Sequence, residues 1–465
     1  MTFRPSRIIL VTLLLLLPTD SYAEEHFPGA IWEHLPEGSG SWSAATLAKA
    51  EAWSKLIGST AVMIVQHGVV VAEWGDTAAR TPIASVRKSL LSALIGIAAP
   101  HFPNALDTKL ADLGIDDNAP SLSTEEKTAT LRDLLQARSG VYHPALCEAP
   151  GMDELRPARF SHAPGTFWYY NNWDFNALGA IYEHATGAAI FGAFNREIAR
   201  PIGMQDYRRS DGEYVTGAAS VYPCYMFQMS ARDLARFALL YLNNGRWGDR
   251  QIVPAQWVND STRPYSQTGS TFGSGYGYLW WTGPVDNSVV PVVTLPPGTF
   301  FAVGYGGQFA FVMPADDLIV VNLDAHYPEP GPSFREIGRL LWLVLDAGGF
   351  HDIGPDASIE AARGKLEDGA ALSHLLSGKT LVYGDAAVGG PFRVQFGYDG
   401  TMAVFKGEST VAYDTGTWKV TDNKYCRDWQ KVRPHHDCFA VARDGAAIQF
   451  FDRNGLMVFD ARLTE

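Results

Sequence analysis

The pattern of the chain changes once along its length, and that change limits the folds open to it. From about Thr380 onward, apolar and polar residues alternate in short runs punctuated by Gly and Asp, at 392–396, 401–405, 417–420, 439–443 and 447–451. Period-two alternation marks strands with one buried face, so residues 376–465 are expected to form a small C-terminal all-β domain, a barrel or a sandwich. Residues 40–350 read differently. The segments 44–57, 131–136, 176–186, 190–199, 231–242 and 334–345 have the spacing of helices with one buried face. Strand patterns at 60–66 and 69–73, joined by His67-Gly68, and later at 276–281, 308–313 and 318–323, bracket that helical block. Early strands, inserted helices and late strands predict an α/β (α+β) domain over 24–350. Its antiparallel sheet is drawn from both ends of the segment, flanked by helices, with a helical subdomain beside it. The Gly/Asp-rich stretch Gly349 to Gly369 marks the expected linker, assigned to 351–375.

Export is expected from the N-terminus. Arg4 and Arg7 precede the run 8–17, which is apolar except for one Thr, and Ser21-Tyr22-Ala23 follows. This is the layout of a secretory signal peptide over 1–23. The rival, an N-terminal membrane anchor, wants about 20 apolar residues. No second long apolar segment follows, so the processed chain is expected to be periplasmic or extracellular, without a membrane span. A net charge of −13, with no Lys/Arg-rich run, disfavours nucleic acid as a partner. Export permits disulfides. Cys426 and Cys438 flank an apparent hairpin and are expected to bond, while Cys147 and Cys224 remain as a second pair whose bonding is open. The competing reading of Cys426, His435, His436 and Cys438 as a zinc site lacks CxxC-type spacing, so neither metal nor cofactor is expected.

The chemistry begins at Ala84-Ser85-Val86-Arg87-Lys88-Ser89. Positions i and i+3 share a helix face, so Ser85 and Lys88 point into one site. A hydroxyl becomes a nucleophile when a neighbour takes its proton, and an amine does so once burial or a nearby positive charge lowers its pKa. A second string, Pro164-Gly165-Thr166-Phe167-Trp168-Tyr169-Tyr170-Asn171-Asn172, holds Tyr-x-Asn in two registers, Tyr169 with Asn171 or Tyr170 with Asn172. The phenol suits a proton shuttle and the amide a substrate carbonyl. A third, Gly304-Tyr305-Gly306-Gly307-Gln308, opens a strand, and its glycines allow a substrate to lie against the backbone.

In that order, these motifs resemble the serine β-lactamase and penicillin-binding protein superfamily. The segments 130–140, 164–172 and 230–237 are similar to the branch holding class C β-lactamases, D-alanyl-D-alanine carboxypeptidases, esterases and 6-aminohexanoate-dimer hydrolases, and 245–254 with 304–308 fit the last kind best. The likeness spans about 45–347 and omits the β domain. It implies a β-lactamase-like fold with Ser85 as acyl-forming nucleophile, Lys88 as proton acceptor and Tyr170 as the shuttle to the leaving group. It further implies that Asn172, Tyr305, Gly306, Gly307 and Gln308 bind substrate, with the Ser85 and Gln308 N–H groups as oxyanion hole. One departure stands out. Tyr305 occupies the position where penicillin-recognising relatives carry Lys or His, which disfavours an obligatory substrate carboxylate there. Arg87, on an ideal helical wheel, lies about 100° or more from Ser85 and Lys88 and is not expected to replace that cation. Tyr142, Trp168, Trp173, Trp280 and Trp281 are candidate pocket walls, or core.

The leading expectation is an exported serine hydrolase acting on a small amide, ester or peptide. Its rivals are a β-lactamase or D-alanyl-D-alanine carboxypeptidase, and a non-catalytic binding protein using the same cleft.

Overall fold

The computed structural model describes residues 26–464 except for 37–39, 102–104, 150–151, 154, 269–274, 284–292, 329–330, 351–364, 384–391, 408, 431–435 and 452–456. The expected signal peptide, residues 1–23, lies outside the described residues.

Residues 61–66, 308–313 and 318–323 are almost continuously apolar, which suits strands covered on both faces rather than one. They form the middle of an eight-stranded antiparallel sheet. Its order is Val69–Gly75, Ala61–Gln66, Leu318–Leu323, Gln308–Met313, Phe300–Gly304, Trp281–Thr282, Gly275–Tyr276, Ser266–Gln267. Ala61 pairs with Leu323 and Gln66 with Leu318, so the sheet is indeed drawn from both ends of the segment. Helix Ala44–Leu56 packs on helix Phe334–Gly348, and Trp53 Nε1 donates to the Glu336 carbonyl at 2.9 Å. Helix Ala231–Leu242 lies against strands Gln308–Met313 and Leu318–Leu323.

Two departures from the sequence pattern bear on the site. Residues 276–281 are not one strand. The short strands Gly275–Tyr276 and Trp281–Thr282 pair with each other, because the chain reverses between them with Leu279 at φ 64°. A side chain at Gly277 would fall 2.0 Å from the Ser261 carbonyl oxygen, so the turn is pressed against neighbouring backbone. Within the block read as helices and loops, Gly212–Gly217 and Ser220–Met229 form a hairpin that Thr81–Pro82 joins as a third strand.

The C-terminal module is a closed barrel. Strands Thr380–Tyr383, Phe392–Phe396, Thr401–Lys406, Asp414–Thr421, Lys424–Trp429, His436–Asp444, Ala447–Phe451 and Met457–Thr464 pair in sequence, and the last closes on the first through Leu381 and Leu463. Eight strands leave an interior that side chains can fill, and Val394, Phe396, Tyr425, Phe439 and Phe450 belong to its core. The stretch read as linker is partly structural. Lys365–Leu366 pairs with His436–Asp444, and helix Gly369–Leu376 buries Leu372, Leu375 and Leu376 in the barrel's hydrophobic cluster. The barrel's own elements therefore begin at Lys365, ahead of residue 376, because those leucines need its interior for burial.

Cys426 and Cys438 face each other across two paired strands and are disulfide-bonded. Their thiols are thus committed to each other, which leaves no pair of thiolates for zinc, and His435 lies outside the described residues. Cys147 and Cys224 form the second disulfide. Among the described residues no cluster of His, Cys, Asp and Glu is placed to hold a metal, and no helix is long and apolar enough to cross a membrane.

Candidate active site

Ser85 lies in the single 3-10 turn Ala84–Val86, which runs into helix Arg87–Ala98. Every residue of that helix except Ile97 is buried, and Ser89 Oγ ties it to the Leu279 carbonyl at 2.8 Å. In a 3-10 turn, side chains three apart eclipse one another, and Lys88 Nζ stands 2.6 Å from Ser85 Oγ. Ala84, just before the serine, has φ 45°, a conformation costly for any residue with a side chain.

Gly304 explains how that turn is seated. A Cβ at this position would stand 2.4 Å from the Ile83 carbonyl oxygen and 3.2 Å from the Ala84 side chain. The end of strand Phe300–Gly304 therefore presses directly on the backbone that carries Ser85. Gly304→Ala is expected to destabilise the protein by about 1–3 kcal/mol through overpacking. It should also lower kcat/KM about 100-fold by displacing Ser85. Urea melts and initial rates on one ester substrate check both.

The two registers of Tyr-x-Asn separate cleanly. Tyr169 donates its hydroxyl to the Met152 carbonyl at 3.0 Å. Asn171 caps helix Asn172–Thr186, accepting from the Trp173 N–H at 3.2 Å and donating to the Val141 carbonyl at 2.6 Å. Both residues are spent on structure. Tyr170 instead sets its ring 4.6 Å from Lys88 Nζ, with Phe175 at 4.9 Å from the same atom, and its hydroxyl interacts with Ser85. Trp281 stacks on Tyr170 with ring centroids 5.5 Å apart.

These surroundings decide protonation. Lys88 is 1% exposed, and burial first, then the charge of Arg87, holds its pKa well below the usual lysine range. Burial pushes the Tyr170 phenol up to about 12, opposed by its hydrogen bond with Ser85 and by Arg87. Both shifts disfavour the charged form, of the amine at Lys88 and of the phenol at Tyr170.

A cavity of about 200 Å³ opens in front of Ser85, and Asn172 and Tyr305 are among the residues that line it. Asn172 Nδ2 contacts Met152 Sδ at 3.6 Å, while its Oδ1 is buried without a partner. Gly306, Gly307 and Gln308 are not among the lining residues. The Gln308 side chain donates to the Gly306 and Asp324 carbonyls, at 3.0 and 2.7 Å, and so braces its own loop. A Cβ at Gly307, whose φ is 89°, would meet Pro332 Cδ at 2.6 Å, so this glycine answers loop packing. What Gly306, Gly307 and Gln308 can offer a substrate is backbone.

None of the five aromatic residues considered as walls lines the cavity. Trp173 and Trp280 are fully buried, with Trp173 Nε1 donating to Asp117 at 2.7 Å, and Trp281 supports Tyr170 from within the core. Sequence reasoning missed other lining residues. Cys147, Glu148 and Met152 come from a loop held to strand Ser220–Met229 by the Cys147–Cys224 disulfide, and Tyr327 follows strand Leu318–Leu323. Such loops carry no local signature. Arg87 is among the lining residues, but it is 1% exposed and its guanidinium stacks over the Tyr225 ring and donates to Asn176 Oδ1.

A family model described as Beta-lactamase matches residues 45–339, more than half of the chain, and the chain belongs to that family of serine hydrolases. Solved structures are similar to the chain at low identity. A protein from Bacteroides dorei assigned as a beta-lactamase is 18% identical with a TM-score of 0.50, covering 66% of this chain and 98% of its own. One from Bacillus anthracis assigned as a 6-aminohexanoate-dimer hydrolase is 21% identical at TM-score 0.48, covering 64% and 80%. The octameric penicillin-binding protein homologue from Pyrococcus abyssi is 14% identical at TM-score 0.47, covering 90% and 100%. No curated protein sequence matches the chain.

Proposed function

We propose that this chain is an exported serine hydrolase that cleaves a small amide or ester through an acyl-enzyme on Ser85. The observation that carries the reading is the 2.6 Å contact between Ser85 Oγ and a buried Lys88 whose pKa is lowered, at the mouth of a cavity. In the proposed cycle, the Lys88 amine takes the Ser85 proton as Oγ attacks the substrate carbonyl. The developing oxyanion is held by the N–H groups of Ser85 and Gln308. Gln308 pairs with Gly304, and its strand touches the nucleophile turn, which supports that assignment. Tyr170 relays the proton from Lys88 to the leaving group, and water then attacks the ester on Ser85. Asn172 positions the substrate.

The cavity volume favours a small substrate. The two disulfides and the N-terminal pattern support export. In domain terms the reading is a signal peptide over 1–23, a hydrolase domain over 24–350 and a C-terminal barrel. A binding protein has no need of a nucleophile and two proton carriers in mutual contact. Tyr305, standing where penicillin-recognising relatives carry Lys or His, ranks esters and linear amides above β-lactams.

The test is turnover of 4-nitrophenyl acyl esters, linear anilides and nitrocefin by the processed protein and by Ser85→Ala. Ester or anilide turnover that depends on Ser85 is expected. Nitrocefin turnover exceeding both would move the reading to a β-lactamase, and absence of all three would remove it.

A further inference from the structure

Two tyrosines from different strands meet at the cavity. Tyr305 follows strand Phe300–Gly304, Tyr327 follows strand Leu318–Leu323, and both line the space in front of Ser85. Their ring centroids lie 6.4 Å apart with the planes at 83°, an edge-to-face pair, and each residue is half-buried. The segments that carry them are tied together. The Gln308 side chain, itself fully buried, donates to the Gly306 carbonyl beside Tyr305 and to the Asp324 carbonyl on the approach to Tyr327. Its Oε1 accepts from the Asp324 N–H at 3.2 Å. One buried amide thus fixes both segments, so the rings are placed before any substrate arrives.

The rest of the lining adds soft apolar surface. Met226 comes from strand Ser220–Met229 and Met152 from the loop after Cys147. Thioether sulfur makes favourable contacts with aromatic rings. The described charged side chains of the lining are engaged within the chain, Glu148 with Arg156 at 2.6 Å and Arg87 with Tyr225 and Asn176. Burial alone would favour any apolar group here, aliphatic or aromatic, in proportion to its area. The edge-to-face pair breaks that tie. An aromatic ring has a negative face and a positive edge, so two rings at right angles offer a third ring both a face and an edge to pack against. A saturated group of the same size gains the burial without that attraction.

We infer that the substrate is a small ester or amide bearing an aromatic ring next to the bond that is cleaved, and that Tyr327 is the residue that selects the ring. The inference rests on the hydrolase reading and narrows it to a substrate class. Position 305 supplies a ring where penicillin-recognising relatives place a cation, and position 327 gives that ring its partner.

Two matched pairs of esters test this, with acid release followed by pH-stat titration so that no aromatic reporter group is needed. Methyl phenylacetate and methyl cyclohexylacetate place the ring on the acyl side, and benzyl acetate and cyclohexylmethyl acetate on the leaving side. Each rate is divided by the rate of the same ester with hydroxide, which removes differences in intrinsic reactivity. In one pair the native protein should prefer the aromatic member by about fivefold or more in kcat/KM, the size that aromatic pairing adds beyond burial. Tyr327→Leu and Tyr327→Met should bring the ratio close to one, whereas Tyr327→Phe should keep it. A general loss of order slows both members of a pair and cancels in the ratio, and melting curves identify any variant that does not fold. Native ratios near or below one in both pairs overturn the inference. A preference that survives in folded Tyr327→Leu or Tyr327→Met, or that vanishes in folded Tyr327→Phe, overturns it too. In those cases Ser85-dependent turnover of the saturated esters leaves the hydrolase reading standing. Absence of turnover on both pairs also overturns the inference, and the hydrolase reading then stands or falls with the 4-nitrophenyl esters and anilides.

Discussion

Lys88→Met is expected to remove at least about 1,000-fold of kcat/KM while raising the melting midpoint. Removing the proton acceptor costs what general-base catalysis supplies, which is large when base and nucleophile act as a unit. The stability gain comes from the same cause as the activity. Burial and Arg87 depress the Lys88 pKa, so between its folded value and the ordinary lysine value the unfolded chain binds a proton that the folded chain lacks. Stability contributed at this position therefore falls as pH drops through that window, and the full cost applies below the folded pKa. Methionine has a similar shape and no charge to desolvate. The gain in midpoint should be largest at and below the folded pKa and vanish once both states are deprotonated. Native kcat/KM should rise with pH along a single acid limb lying well below the ordinary lysine pKa. It should stay flat until the alkaline region where Tyr170, pushed up to about 12, ionises. Calorimetry and rate profiles across pH check both halves. A midpoint lower in the variant than in the native protein at neutral pH would contradict the desolvation argument.

Ser85→Ala should have the largest effect on rate, about 10,000-fold or more, because no acyl intermediate can form. Its melting midpoint should stay close to that of the native protein, since the hydroxyl contributes little packing. Combined with Lys88→Met it should be no slower than Ser85→Ala alone, because the two groups perform one step. Single-turnover assays with enzyme in excess measure the residual rates. A double variant slower by a further 1,000-fold would mean that Lys88 works independently of Ser85.

The serine and lysine were legible because their spacing is a local property that a helix start preserves. Tyr170 over Tyr169 was not decided by the residues themselves. Both registers offer a phenol and an amide, and the choice depends on Asn171 capping a helix against Val141, a contact across 30 positions. The hairpin 212–229 was hidden by Pro223, which normally disqualifies a central strand. Here the register between the two strands shifts between Val215 and Gly217, and Pro223 sits at that bulge. Gly277 and Leu279 gave no warning of the reversal at 277–280, since a positive φ at leucine is set by packing. In the C-terminal module, alternation announced strands but could not choose a barrel over a sandwich. That choice rests on the pairing of its first and last strands, 84 residues apart at Thr380 and Thr464.

The most direct measurement is the site of covalent labelling by a fluorophosphonate. The protein is reacted to completion and its peptides are mapped by mass spectrometry, with Ser85→Ala and Lys88→Met alongside. The account predicts one adduct, on Ser85, absent from Ser85→Ala and formed far more slowly in Lys88→Met. An adduct on another residue, or catalytically active protein that takes no label, would contradict it.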